Sequence, residues 1–366
     1  MIDLIKNEDS MEKEKQSKIK KILVNLTIFI LLIILTFSLV LKDQDVSQIF
    51  SVAAKVKKQY ILFAVLAMSI YILGEAINIT RILKELGEKS KFISNIRYTL
   101  IGFFFSAITP AASGGQPMEI YYMHKDDISV ANSTLALLMQ LCSLQIVTIT
   151  VGIISAVIHF DVLKSGLIYL LIIGIILNSS ALMLLIIAIF SKRLSEGLIK
   201  FVVKLLKFFR IPNVEKKQEK LEKELESYQT SAKYIKEHKI LMLKTILTTL
   251  VQMIAYYSVP YWIYLAFGLK EYNIFEIATL QAVLYATVSG IPSPGSVGVS
   301  EGGFLGIFRN VFPETIISSA MLLTRGANFY LFIIISAIIV MISTFRDRRE
   351  EKKQKSQNEE IIEKAE

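Results

Sequence analysis

Apolar runs of about 20 residues recur along this chain of 366 residues, the length needed to cross a hydrocarbon core of roughly 30 Å. They fall at residues 22–41, 59–80, 97–124, 129–158, 166–190, 240–268, 274–311 and 314–345, with charge gathered in the intervals. Eight such segments exclude one soluble core. Lipid offers no partners to backbone polar groups, so spans must be helices or closed barrels, and runs this long specify an all-α integral membrane protein. Hydrophobic residues at 53% and a mean hydropathy of +0.52 agree, since soluble domains sit nearer 45–50%. A polar stretch at 1–21, a charged insert at 191–239 and a charged tail at 346–366 complete the chain.

Cationic side chains favour cytoplasmic loops, and this sets the path. Lys18, Lys20 and Lys21 place the N-terminus inside, and the segment at 22–41 reads as an uncleaved signal anchor. Arg81, Lys84, Lys89, Lys91 and Arg97 place the loop after the second span inside as well. If 97–124 then crossed fully, Lys192, Arg193, Lys200, Lys204, Lys207 and Arg210 would lie outside. A segment that enters and leaves on the cytoplasmic side removes the conflict. By the same logic 274–311 returns to the outer side, which leaves Arg346, Arg348 and Arg349 inside. The expectation is about six full spans plus two re-entrant hairpins entering from opposite faces, in a plasma-membrane protein with both termini cytoplasmic.

Both hairpin segments carry helix breakers. The first is Thr109-Pro110-Ala111-Ala112-Ser113-Gly114-Gly115-Gln116-Pro117, and the second is Ser289-Gly290-Ile291-Pro292-Ser293-Pro294-Gly295-Ser296-Val297-Gly298. Proline removes a donor and clashes with the preceding turn, so neither stretch continues a regular helix. An offset of 183 maps Ser106 to Ser289, Ile108 to Ile291, Ser113 to Ser296 and Gly115 to Gly298. The halves, about 22–158 and 166–345, then form an inverted repeat, an arrangement common in secondary transporters.

Ionisable groups in the membrane cost about 2.5–3.5 kcal/mol on insertion scales and mark functional candidates. Here they are Glu75, Glu119, Glu301 and Arg325, with Asn328 one turn beyond the arginine. Arg325 is expected to pair with Glu301 or Glu119, as a cargo site or a structural lock, and Glu75, Glu119 and Glu301 are the candidate proton carriers. Helix N-termini bind anions through free N–H groups and the helix dipole. Ser113, Gly114, Gly115 and Gln116 before the second arm of one hairpin, and Ser296, Gly298 and Ser300 in the other, suit a phosphate headgroup.

Other chemistry is thin. Cys142 is the single cysteine, so no internal disulfide or cysteine-based metal site forms. His124, His159 and His238 are too scattered for a metal site, and no catalytic triad or cofactor motif is legible. The net charge of +9 flanks the spans and suits anionic lipid rather than nucleic acid. Gln140, Gln145, Asn178, Gln252 and Gln281 suit either a polar path or hydrogen bonding between helices. Within the insert, residues 194–210 form a basic amphipathic stretch suited to the interface. Leu221, Leu225, Tyr228, Ala232 and Ile235 then mark a narrow stripe that packs on the protein or on a partner.

The breaks, read together with Pro292-x-Pro294-Gly295-x-x-Gly298-Val299-x-Glu301-Gly302 and Arg325 in the last span, resemble the lysylphosphatidylglycerol synthase transmembrane family, also called flippase-like. The matched positions are Gly114, Gly115, Gln116, Pro117, Glu119, Pro292, Pro294, Gly295, Gly298, Glu301 and Arg325. The resemblance implies a membrane domain that moves aminoacylated phosphatidylglycerol between leaflets, which confers resistance to cationic peptides. After Phe345 only a short charged tail follows, so the aminoacyl-transferase domain of longer members is expected to be missing. Three readings stay open: translocation of an anionic, aminoacylated or other phosphate-bearing lipid; enzymatic synthesis of lysylphosphatidylglycerol; and a scaffold that recruits a partner enzyme, or a second copy, through 212–239.

Overall fold

The computed structural model describes residues 46–109, 112–158, 167–191, 214–291 and 293–346, together with Thr27, Leu31, Arg193, Gly197 and Lys204. The expected first span at 22–41, Pro110, Pro292, the amphipathic stretch at 194–210 and the tail beyond Arg346 lie outside these residues. Among the continuously described stretches the helices are, in order, α1 Val46–Ala54, α2 Lys58–Glu85, α3 Phe92–Ile108, α4 Gly115–Lys125, α5 Val130–Ile158, α6 Leu167–Phe190, α7 Val214–Glu237, α8 Lys239–Ala266, α9 Ile274–Val288, α10 Val299–Ile307 and α11 Ile317–Arg346. The described residues contain no strand.

Five of these helices, α2, α5, α6, α8 and α11, are long and apolar enough to cross a membrane. Their outer faces carry stripes of exposed aliphatic residues, such as Leu62, Leu66, Ile70, Leu73 and Ile77 on α2. Spacings of three and four keep such a stripe on one face, where the surroundings must be apolar.

The two broken segments each fold back on themselves. Along the first, Gly102 faces Glu119, Gly115 faces Ser106, and Tyr98 donates a hydrogen bond to Asp126. The paired numbers run in opposite directions, so α3 and α4 are antiparallel. In the second, Gly303 faces Leu284 and the Tyr272 hydroxyl donates to the Asn310 carbonyl at 3.1 Å, so α9 and α10 are antiparallel too.

The hairpins open toward opposite ends of the bundle. At one end Asp126 accepts hydrogen bonds from Arg97 and Tyr98, and from Arg346 at the close of α11 (3.2 Å). Glu88, just past α2, accepts from the Asn132 side chain at 2.8 Å and so joins the start of α5 to the same end. At the other end the Lys57 N–H donates to the Ala266 carbonyl at 3.0 Å, beside the Tyr264 hydroxyl that accepts from Glu271 and Tyr272. The first hairpin therefore has both ends where α2 stops, and the second has both ends where α2 starts.

The repeat extends beyond the breaks. α2 and α8, α3 and α9, and α4 and α10 occupy matching places in the two halves. Ala112 at φ 54° and Gly295 at φ 57° stand 183 residues apart in the same left-handed conformation. The mates α2 and α8 form the most extensive helix pair among the described residues. A buried polar knot holds them together: Asn78 Nδ2 donates to Gln140 Oε1 (2.8 Å), Thr249 Oγ1 (2.9 Å) and the Thr245 carbonyl (3.2 Å). Arg81 in turn donates to Asn78 Oδ1 at 2.9 Å. Gln140 and Gln252 belong to this packing network, so their role is helix association. α7 docks on α5 through buried Ala232 and a Ser231-to-Asn132 hydrogen bond of 2.8 Å, which places its inner face on the protein itself.

Removing one member of a buried network strands its partners at about 1–3 kcal/mol each. Asn78→Ala should lower the melting temperature in detergent by several degrees, measured by thermal denaturation. An unchanged melting temperature would show that the knot contributes nothing to α2–α8 association.

Candidate functional site

The polar breaks fold as their sequences direct. Pro294 opens a single 3₁₀ turn, Pro294–Ser296, and Gly295 reverses the chain at positive φ. Phe329 packs so closely on Gly295 that a Cβ there would sit 2.2 Å from its ring. In the first break Thr109 Oγ1 accepts from the Gly114 N–H at 2.9 Å and closes the turn before α4. Pro117 stands inside the first turn of α4, where a missing N–H costs nothing.

The tips meet. α3 packs on the 294–296 turn, and Phe103 of α3 lies edge-on to Phe329 of α11 with ring centroids 6.1 Å apart. Phe329 thus touches both hairpins. It lies in a π-helical turn, Gly326–Tyr330, directly after Arg325; such turns are rare and concentrate at functional sites.

Arg325 is bound into the second hairpin. Its Nε donates to Glu301 Oε1 at 2.8 Å, its Nη2 donates to the Gly295 carbonyl at 3.1 Å, and its guanidinium lies 4.0 Å from the Phe329 ring centre. Glu301, fully buried, also accepts from Tyr330 at 3.1 Å and from the Gly298 N–H at 2.7 Å. Of the two expected partners for Arg325, the structure selects Glu301.

Between the hairpins lies a cavity of about 780 Å³. Ser113, Gln116 and Glu119 reach its wall from the first hairpin, Ser296 and Ser300 from the second, and Arg325 and Asn328 from α11; Glu75 joins them from α2. Gln145, Asn178 and Gln281 also line it. Gly114 and Gly115 stand behind the wall in close packing: a Cβ on Gly115 would lie 2.0 Å from Ser106 Oγ, and one on Gly114 would lie 2.7 Å from Thr109; Gly298, at φ 87°, donates its N–H to Glu301 at 2.7 Å. Glu301 stands behind the wall and holds Arg325 in place.

Other lining residues drew no notice in the sequence. Tyr71, Thr99, Tyr256 and Tyr285 face the cavity, as does Ser106, read in the sequence only as the repeat mate of Ser289. The available signal for Tyr71 was spacing, since it lies one helical turn before Glu75.

The wall is rich in oxygen acceptors. Glu119 Oε2, Gln145 Oε1, Gln281 Oε1 and Asn328 Oδ1 are buried without a hydrogen-bond partner. Buried polar atoms are normally satisfied, so these four stand out from ordinary interior atoms. The geometry can hold a polar headgroup against Arg325 and the serines while apolar chains remain outside.

Breaking a buried ion pair by removing one member costs about 3–5 kcal/mol, whereas an apolar replacement of both is far milder. Glu301→Gln should therefore destabilise the protein sharply, and adding Arg325→Met should recover most of the loss in thermal denaturation. A double variant no more stable than Glu301→Gln would contradict a closed pair.

Comparison with known proteins follows the same outline. The family described as the lysylphosphatidylglycerol synthase TM region matches residues 22–336. A UPF0104 membrane protein of Archaeoglobus fulgidus is 23% identical over 268 residues, which is 72% of this chain and 80% of that protein. The match includes both broken segments and Arg325, and the chain belongs to the lysylphosphatidylglycerol synthase transmembrane family.

Proposed function

We propose that the protein translocates a phosphate-bearing lipid between leaflets, with the headgroup passing through the cavity between the hairpins and the acyl chains staying in the bilayer. The observation that carries this reading is the cavity itself: polar tips and a buried arginine at the centre of a helical body whose outer surface is apolar. Membership of the lysylphosphatidylglycerol synthase transmembrane family directs the reading toward an anionic or aminoacylated phospholipid.

The hairpins are read as re-entrant. α4 has 11 residues and α10 has 9, which at 1.5 Å each reach about 16 and 13 Å, far short of a bilayer core near 30 Å. The end bearing Arg97, Arg346 and Lys84 is assigned to the cytoplasm by the excess of positive charge. Each hairpin then seals the cavity from one side, and alternating access follows when one tip withdraws while the other stays.

The carboxylates divide into two kinds. Glu301 is committed to Arg325, Tyr330 and the Gly298 N–H, so it serves to hold the arginine. Glu75 and Glu119 face the cavity and remain for coupling or cargo.

A vesicle assay with fluorescent phospholipids tests the proposal. The wild-type protein should accelerate leaflet exchange, and Leu144→Trp, which adds bulk to the cavity wall, should slow it at least tenfold at unchanged expression. Absence of exchange for every phospholipid and polyprenyl-phosphate lipid offered to the wild-type protein would remove translocation as the function.

A further inference from the structure

α11 runs through two apolar cores, and its helix type changes where it passes from one to the other. In its first part, Ile317, Ala320 and Met321 lie buried in the core around the second hairpin, with Val283 of α9 and Phe304 of α10. In its later part, Ile333, Ala337 and Val340 pack on the core around the first hairpin, which holds Ile101 of α3 and Met123 of α4. The border falls inside the π-helical turn Gly326–Tyr330, since Ala327 belongs to the second hairpin's core and Phe329 to the first's. α2 also runs through both cores, with Ala64 and Ala67 in one and Ile79 and Ile82 in the other, yet it is an uninterrupted α-helix. Depth in the bundle explains why a long helix meets two cores; it does not explain a break in the helix at their border.

Polar ties follow the same division. Arg325 closes the first part and is bonded to Glu301 and the Gly295 carbonyl of the second hairpin. Arg346 closes the later part and donates at 3.2 Å to Asp126 at the end of α4, which also accepts from Arg97 and Tyr98 of α3. The hydroxyls of Thr344 and Tyr122 lie 3.5 Å apart beside that tie. The turn itself touches both tips, through Phe329 against Gly295 and Phe103. A Cβ at Gly326 would meet nothing within 4 Å, so the turn has room where it begins. Hinges are a few residues that absorb the backbone change between two packed bodies, and π turns inside α-helices gather at functional positions.

We propose that α11 is a two-part lever hinged at Gly326–Tyr330: residues 331–346 travel with the first hairpin as one body, and residues 317–325 stay with the second. Movement of the first hairpin's mouth then reaches the turn that sets Phe329 between the two tips, which couples one hairpin to the other. Arg346 is half exposed, and such pairs are weak and screened by salt, so the tie keeps the end of α11 in register while packing carries the load. This rests on the alternating-access reading of the hairpins and names the element that links them.

Spin-label distances in nanodiscs, from pulsed electron paramagnetic resonance, test the lever. Cys142 is the single cysteine and is buried, so Cys142→Ala provides a background for labelling exposed positions. Ile93→Cys with Ile342→Cys joins the first hairpin to the later part of α11, and Phe275→Cys with Ile342→Cys joins the second hairpin to it. The first pair should give one distance, and the second pair two populations about 5 Å or more apart. Arg346→Gln should add a second distance to the first pair, while Arg346→Lys, which keeps the charge, should leave it single. A first pair as variable as the second, one distance for both pairs, or an Arg346→Gln variant that matches wild type would overturn the lever. Lipid exchange by the same labelled protein separates this from the parent reading. Two populations without exchange would remove translocation and leave the lever, whereas exchange with one distance for both pairs would remove the lever and leave translocation.

Discussion

Backbone that leaves the helix at membrane depth must find partners inside the protein, because hydrocarbon supplies none. The rest of this architecture answers that constraint. Two chain breaks are placed tip to tip, where each covers the other: α3 packs on the 294–296 turn, and Phe329 lies against both Gly295 and Phe103. The freed carbonyl of Gly295 is taken by Arg325, and the Gly114 N–H is taken by the Thr109 hydroxyl. The arginine, costly in a bilayer, is neutralised by Glu301, which itself caps the helix that the second break begins. One set of interactions thus satisfies the backbone, the charge and the contact between hairpins.

A consequence is that the polar interior splits into a locked part and an open part. The locked part includes Glu301, Arg325 and the Asn78–Gln140–Thr249 knot, where donors and acceptors meet within the protein. The open part is the cavity wall, with Glu119, Gln145, Gln281 and Asn328 holding unpaired oxygens. Inverted repeats make such asymmetry informative, since each half shows what the other could have been. The second half pairs its carboxylate with an arginine; the first leaves the buried Glu119 Oε2 without a hydrogen-bond partner.

Much of this was legible in the residues. Runs of apolar residues gave the long helices, because the length of a span is fixed by the bilayer and composition alone reveals it. The proline and glycine clusters marked the breaks, at each of which the chain folds back on itself. The four matches at offset 183 pointed to a repeat that the helix order and the shared left-handed residues Ala112 and Gly295 extend. The partner of Arg325 was narrowed to two residues but not chosen, since choosing it depends on how α10 rotates against α11. Glycine roles were harder. Gly114 and Gly115 read as anion-binding backbone, whereas close packing on Thr109 and Ser106 explains them, and close packing leaves no signature beyond small size. The π-helical turn at Gly326–Tyr330 and the tyrosine cluster were invisible because both arise from tertiary packing.

The central claim is that two hairpins from opposite membrane faces hold a lipid headgroup between their tips. The most direct measurement is a density map of the protein in nanodiscs made from mixed phospholipids. The account predicts that the Asp126 and Asn310 ends of the hairpins lie at opposite bilayer surfaces, with headgroup density in the cavity between Arg325 and Glu119. Hairpin ends at the same surface, or lipid density confined to the outer faces of α2, α6 and α8 with the cavity closed, would contradict it.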